Sequence, residues 1–193
     1  MHTKRMIAYI IDLIFITAIL IVLFNFFPND LKANKIQTQI DQIGEEYAIG
    51  KMDKMSYFMT LSSLEKELDK NQALEIVINS ILIVIYYIMI PYMWNGKTLG
   101  KHIMKIKIVS KKDTRINLMS LFIRTFIVNG LFSTILIIMG IYMIPKSFYL
   151  SFVSILAILQ LLALIVSYFM IKYRQDSLGL EDILSQSKVI KLD

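Results

Sequence analysis

A chain of 193 residues that is 56% hydrophobic and 19% charged exceeds the apolar share of soluble domains, about 45–50%, and composes as an integral membrane protein. It has no cysteine, which excludes disulfides and thiolate metal sites, and its two histidines, His2 and His102, fall in no HxxxH or HExxH spacing. A net charge of +6 would suggest nucleic acid in a soluble chain, but here the placement of the charges along the chain is more informative than their sum.

Four apolar segments, 6–27, 74–94, 118–144 and 148–171, reach the roughly 20 residues a helix needs to cross a bilayer. Their length and lack of alternation predict helices rather than strands. The first follows Lys4 and Arg5, as a signal peptide would. Its apolar run is too long for one, it contains Asp12, and "FNFFPND" offers no small-residue cleavage site. It is expected to be an uncleaved transmembrane helix that stops at Pro28.

Residues 29–73 are polar but patterned. Ile36, Ile40, Ile43 and Tyr47, then Met55, Met59, Leu64 and Leu68, recur at helical spacing, with Gly44 and Gly50 as punctuation. They predict two amphipathic helices outside the membrane, forming a hairpin between the first two spans.

The second span leads into "WNGKTLGKHIMKIKIVSKKDTRINL". Its GxxxGKH spacing departs from the phosphate-binding GxxxxGK[ST], and no strand precedes it. Lys97, Lys101 and Lys105 recur every four residues, opposite Leu99, Ile103 and Ile106. That pattern predicts a helix in the interface with its lysines among anionic headgroups. "IKIV" alternates and predicts an extended piece from Ile106 to Val109. "KKDTR" reads as a turn.

Lys and Arg fix the orientation. With the N-terminus inside, thirteen lie on the inner side, seven on the outer, and Arg124 alone within a span; nine acids lie outside and five inside. Both termini are therefore expected in the cytoplasm. The expected architecture is an all-α membrane protein, one domain over 1–193, with four transmembrane helices, the 29–73 helical insert outside and an amphipathic basic loop inside.

Asp12 lies six residues into the first span and Arg124 six into the third, so both sit ~9 Å deep. Either charge alone costs a few kcal/mol at such a depth. The two are expected to pair across the bundle. Arg5, at the boundary, can snorkel to headgroups or meet a carboxylate from the C-terminal tail. Thr17, Asn79, Asn129, Ser133, Thr134, Ser154, Gln160 and Ser167 also dot the spans. They suit hydrogen bonding between helices or a polar path.

The order of these features resembles the RDD family of bacterial membrane proteins, named for one arginine and two aspartates. Arg5, Ala8 and Asp12 in "RMIAYIIDLI" match its R-x-x-A-x-x-x-D. Gly96, Thr98, Gly100 and Lys101 match G-x-T-x-G-K, and Arg124 in "LFIRTFI" matches the arginine of the next helix. "GLEDILSQSKVI" resembles the family's G-L-H-D-x-x-x-x-T-x-V ending, with Asp182 as the second aspartate. Glu181 stands in place of the usual histidine, Ser187 in place of threonine, and "SQS" in place of A-G-T. The resemblance implies a charge network of Arg5, Asp12, Arg124 and Asp182. It also implies one of two roles: cation/proton antiport, with Asp12 as the carboxylate, or a non-catalytic accessory role.

No Ser/His/Asp set, HExxH or paired intramembrane carboxylates appear, so no catalysis and no cofactor is expected. The expected partners are anionic lipid and another membrane protein or a second copy of the chain. The expected location is the cell membrane.

Overall fold

The computed structural model describes residues 2–25, 31–111 and 115–192. The stop expected at Pro28 and the centre of the KKDTR turn lie outside these residues. Among these residues the protein is mostly helical, with one two-stranded sheet. Among the described residues three helices are long and apolar enough to cross a membrane: His2–Phe24, Ala73–Met93 and Lys146–Tyr173. A fourth crossing exists if the bent pair Leu118–Val128 and Leu131–Met143 counts as one span.

The first span is α1 (His2–Phe24), 23 residues and so about 34 Å long. The second is built from α4 (Ala73–Val84), a π-helical turn (Ile85–Met89) and α5 (Ile90–Met93). The π turn inserts one residue into the helical register, a device found frequently at functional sites. It sets Tyr86 and Tyr87 edge to face, ring centroids 5.0 Å apart.

The third crossing differs from the single helix expected over 118–144. α7 (Leu118–Val128) and α8 (Leu131–Met143) meet at 69°, with Asn129 and Gly130 between them. Gly130 has φ 73°, a left-handed conformation that only glycine adopts at little cost. A broken helix frees carbonyls that hydrocarbon cannot satisfy. Here the Gln160 amide, from α9 (Tyr149–Tyr173), donates to the carbonyls of Ile127 (2.9 Å) and Val128 (3.2 Å). The Ser133 hydroxyl donates to Gln160 Oε1 at 3.3 Å. The intramembrane glutamine is therefore the partner of the break.

The expected outer helices are α2 (Leu31–Ala48) and α3 (Lys54–Asn71). Asp53 caps α3 by accepting from the N–H groups of Met55 and Ser56, as an N-cap aspartate does. Tyr47 stacks on Tyr57 across the turn, centroids 4.5 Å apart. α3 is docked on the bundle. The Ser62 hydroxyl donates to the Lys146 carbonyl (2.6 Å) and accepts from Leu150 N–H (3.0 Å). Lys66 Nζ donates to the Ile144 carbonyl, and Tyr149 donates to Asp69 (2.6 Å).

At the opposite end lie the short α6 (Leu99–Ile103), β1 (Ile106–Ser110), α10 (Leu180–Leu184) and β2 (Ser187–Lys191). β1 and β2 pair antiparallel, Ile108 facing Val189 and Ser110 facing Ser187. The alternation in "IKIV" becomes a strand whose alternate residues Ile106 and Ile108 are buried. They join Ala8, Ile116, Leu121 and Val189 in the core at this end of the bundle. The sheet qualifies the all-α expectation; its second strand comes from the C-terminal tail, where no alternation long enough to read was available. Along the spans the large apolar side chains remain exposed, from Ile10 and Ile14 on α1 to Leu161 and Phe169 on α9, as a lipid-facing surface requires.

Candidate functional site

Arg5, Ala8 and Asp12 recur at i, i+3 and i+7, so α1 presents them on one face. Asp12 is 0% exposed and binds four groups from two segments. Tyr86 Oη donates to Oδ1 at 2.6 Å, and the Gly100 N–H donates to the same oxygen at 2.7 Å. Thr98 Oγ1 donates to Oδ2 at 2.6 Å, and Lys101 Nζ lies 3.6 Å from it. The opening motifs thus acquire physical reasons. A side chain at Gly100 would put its Cβ 2.2 Å from the Ala8 carbonyl oxygen and 2.9 Å from Asp12 Oδ1. Ala8 is itself 1% exposed, so both contact residues must be small. Gly96, at φ 80°, carries a Cβ position 1.9 Å from the Ile108 carbonyl oxygen, and its own carbonyl accepts from Ile108 N–H at 2.8 Å. Glycine 96 is what lets the loop fold back onto β1.

Lys101 Nζ also reaches Thr98 Oγ1 at 3.2 Å. Burial pushes its ammonium down to about 8, against the pull of Asp12, the direction expected when a cation leaves water.

A second cluster stands beside the first. Arg5 Nη2 meets Asp182 Oδ2 at 2.5 Å and Glu181 Oε1 at 3.1 Å, and its Nη1 donates to the Ser177 carbonyl at 3.0 Å. Arg124 Nη1 donates to Asp182 Oδ1 and, at 2.7 Å, to Ser187 Oγ. Asp182, also 0% exposed, accepts from Gly179 N–H at 2.9 Å as well. Burial alone would raise its carboxyl; Arg124 and Arg5 outweigh that and hold it below the usual carboxylate range. Ser167, on α9, donates to Glu181 Oε2.

The structure therefore brings the four expected network residues to one end of the bundle but pairs them differently. Arg124 does not bind Asp12; its partner is Asp182, and Asp12 is served by Tyr86, Thr98, Gly100 and Lys101. Matched depth on two helices says nothing about azimuth, and the tail and inner loop, invisible in a depth argument, reach both charges first. Lys97, Lys101 and Lys105 do not share a helical face either. α6 spans only 99–103, Lys97 precedes it, and Lys105 follows with φ 53°. Docking Gly100 against Ala8 turns Lys101 inward, and Lys105 is exposed. His102 stacks on Trp94, centroids 5.2 Å apart.

Sequence reasoning missed Tyr86, which sits in an apolar run with no polar neighbour to mark it. It also gave Glu181 and Ser187 no place in the network. Among the described residues no group of three His, Asp or Glu is placed to hold a metal ion.

A cavity of about 180 Å³ adjoins both clusters, lined by Arg5, Lys101, Arg124 and Glu181 at its polar side. A second of about 120 Å³ lies alongside, lined by Thr17 and Asn79; Tyr9, Tyr87 and Asn129 border both.

Compared with known proteins, residues 2–186 match the model of the RDD family. Neither a search of curated proteins nor a search of solved structures returns a match.

Proposed function

From the premise that this chain belongs to the RDD family, we propose that it is a non-catalytic accessory or regulatory protein of the cell membrane. In this reading it is multi-pass with both termini cytoplasmic and binds another membrane protein or a second copy of itself. The charged end faces the cytoplasm and the docked α2–α3 hairpin faces out. The broken α7–α8 pair counts as one crossing. Two contacts support this: α7 reaches the tail through Arg124, while Ile144, the residue after α8, has its carbonyl accepting from Lys66 in the hairpin.

The observation that carries the reading is the state of Asp12. A proton-coupled carrier needs a carboxylate that exchanges partners as it loads and unloads. Asp12 instead commits both oxygens to fixed donors from the second span and the inner loop, which makes it a clasp between α1 and that loop. Arg5, Arg124, Glu181 and Asp182 act likewise, stitching the tail to α1 and α7. The loop, sheet and tail then form one platform at the inner face, suited to contact a partner.

Cation/proton antiport is the second reading. It is favoured by the two adjoining cavities, whose shared and polar residues run from the charged end toward the bundle interior. Na⁺/H⁺ and K⁺/H⁺ exchange in inverted vesicles separates the two. The accessory reading expects no exchange above empty vesicles, with crosslinking and mass spectrometry yielding a specific membrane partner or a homodimer. Exchange that disappears in Asp12→Asn at unchanged protein level overturns it.

A further inference from the structure

At the charged end the cations border the larger cavity while most of the carboxylates that pair with them stand behind them. Arg5, Lys101 and Arg124 all border the larger cavity. Two of the carboxylates that balance them, Asp12 and Asp182, are fully buried and do not border it. Glu181 does, but its Oε1 is engaged by Arg5 and its Oε2 by Ser167. The wall a ligand would meet therefore presents three cations and one carboxylate, with Asp12 and Asp182 balancing them from behind. Arg124 spends Nη1 on Asp182 and Ser187, and its Nη2 stands 3.8 Å from Glu181, too far for a hydrogen bond. His2 gives an independent sign. Its Nε2 is buried without a hydrogen-bond partner, and the residue borders the same cavity. A buried polar atom left unmatched is costly, and an anionic oxygen there would satisfy it.

Away from Asn129, Thr125 and the tyrosines, the wall is apolar, including Met6 on α1, Val128 on α7, and Leu164 and Ile171 on α9. α1 and α9 flank the cavity but are not packed against each other along their length. His2 and Tyr168 bridge them at the charged end, ring centroids 5.1 Å apart. Both helices expose large apolar side chains. A soluble anion has no use for such a wall, and a neutral lipid has none for three cations.

We propose that the seam between α1 and α9 holds one anionic phospholipid, its phosphate against Arg5, Lys101, Arg124 and His2 and an acyl chain along Met6, Leu164 and Ile171. The site goes beyond the accessory reading and stands whether or not the protein transports ions. Its phosphate gives acceptors to Arg124 Nη2 and His2 Nε2, and its acyl chain closes the gap between the spans.

The test is native mass spectrometry of the full chain released from nanodiscs made of phosphatidylcholine and phosphatidylglycerol in equal parts. Wild type is expected to retain one phosphatidylglycerol with about tenfold preference over phosphatidylcholine, a difference of about 1.4 kcal/mol. Leu164→Trp fills the apolar wall and His2→Ala removes the unmatched nitrogen. Each, once shown to be folded by its melting temperature, is expected to lose that retention about fivefold. Equal retention of the two lipids overturns the proposal, as does unchanged retention in either folded variant. Soluble glycerol phosphate at millimolar concentration is expected to leave the lipid in place; displacement by it would show that the headgroup alone is the ligand and remove the tail from the site.

Discussion

At the scale of single residues, the chemistry of this protein is that of carboxylates made tolerable by their partners. Asp12 answers a desolvation cost with two hydroxyls, one backbone N–H and one ammonium. Replacing it with Asn turns an NH2 donor toward one of the two pairs of donors that the carboxylate accepts from, and is expected to cost about 3 kcal/mol, read as a lower unfolding midpoint in detergent and reduced protein level. The partner assignment is separable by double-mutant cycles. Arg124→Gln with Asp182→Asn should couple by about 2 kcal/mol, whereas Arg124→Gln with Asp12→Asn should be close to additive.

The two clusters also titrate in different windows. Asp182 has a folded value held below 3.8. Its contribution is present above that pH and is lost as pH falls through the folded value. The unfolding midpoint should drop in that acid range, and drop less in Asp182→Asn. Lys101 is displaced from 10.5 to about 8. Between those values the folded state binds fewer protons than the unfolded chain, so stability should rise with pH across that interval. Lys101→Met is expected to remove the rise.

At the scale of elements, two small devices hold irregular backbone in a membrane. The first is the docking of α6 on α1 through Gly100 and Ala8. Gly100→Ala places a methyl group against the Ala8 carbonyl and Asp12; it should cost about 2 kcal/mol or more, and Trp94 emission should shift as its loop leaves the bundle. The second is the break in the third crossing, where Gln160 serves carbonyls that α7 and α8 leave open. Gln160→Leu is isosteric enough to pack but leaves both carbonyls unmatched in hydrocarbon. A loss of about 2 kcal/mol is expected, measurable by unfolding in mixed micelles.

At the scale of the whole molecule, the chain has two differently built ends joined by lipid-facing helices. One end gathers the N-terminal arginine, the inner loop, Arg124 and the tail. The other docks α3 on the turn between α8 and α9. Because the natural sequence has no cysteine, single substitutions report topology without background. With the inner end cytoplasmic, Ser56→Cys should react with a membrane-impermeant maleimide in intact cells, and Lys97→Cys only after permeabilisation. The reverse pattern would invert the orientation.

Much of this was already decided by local physics. Apolar runs long enough to cross a bilayer, helical spacing in the insert and alternation in "IKIV" each act within a few turns of chain, so the sequence alone determined the helical membrane class, the two helices of the 29–73 insert and the short strand after α6. It also marked Asp12 and Arg124 as exceptional, because a charge near hydrocarbon needs a partner whatever the fold, and the family resemblance added Arg5 and Asp182 to them. Which partner was a tertiary decision. Tyr86 is turned toward Asp12 by a π turn, Thr98 and Gly100 arrive by a close approach at Ala8, and Asp182 arrives from a tail 58 residues beyond Arg124. The 69° break at Gly130 was decided in the same way, since a glycine within an apolar run bends a helix only where another helix supplies the hydrogen bonds that the bend gives up.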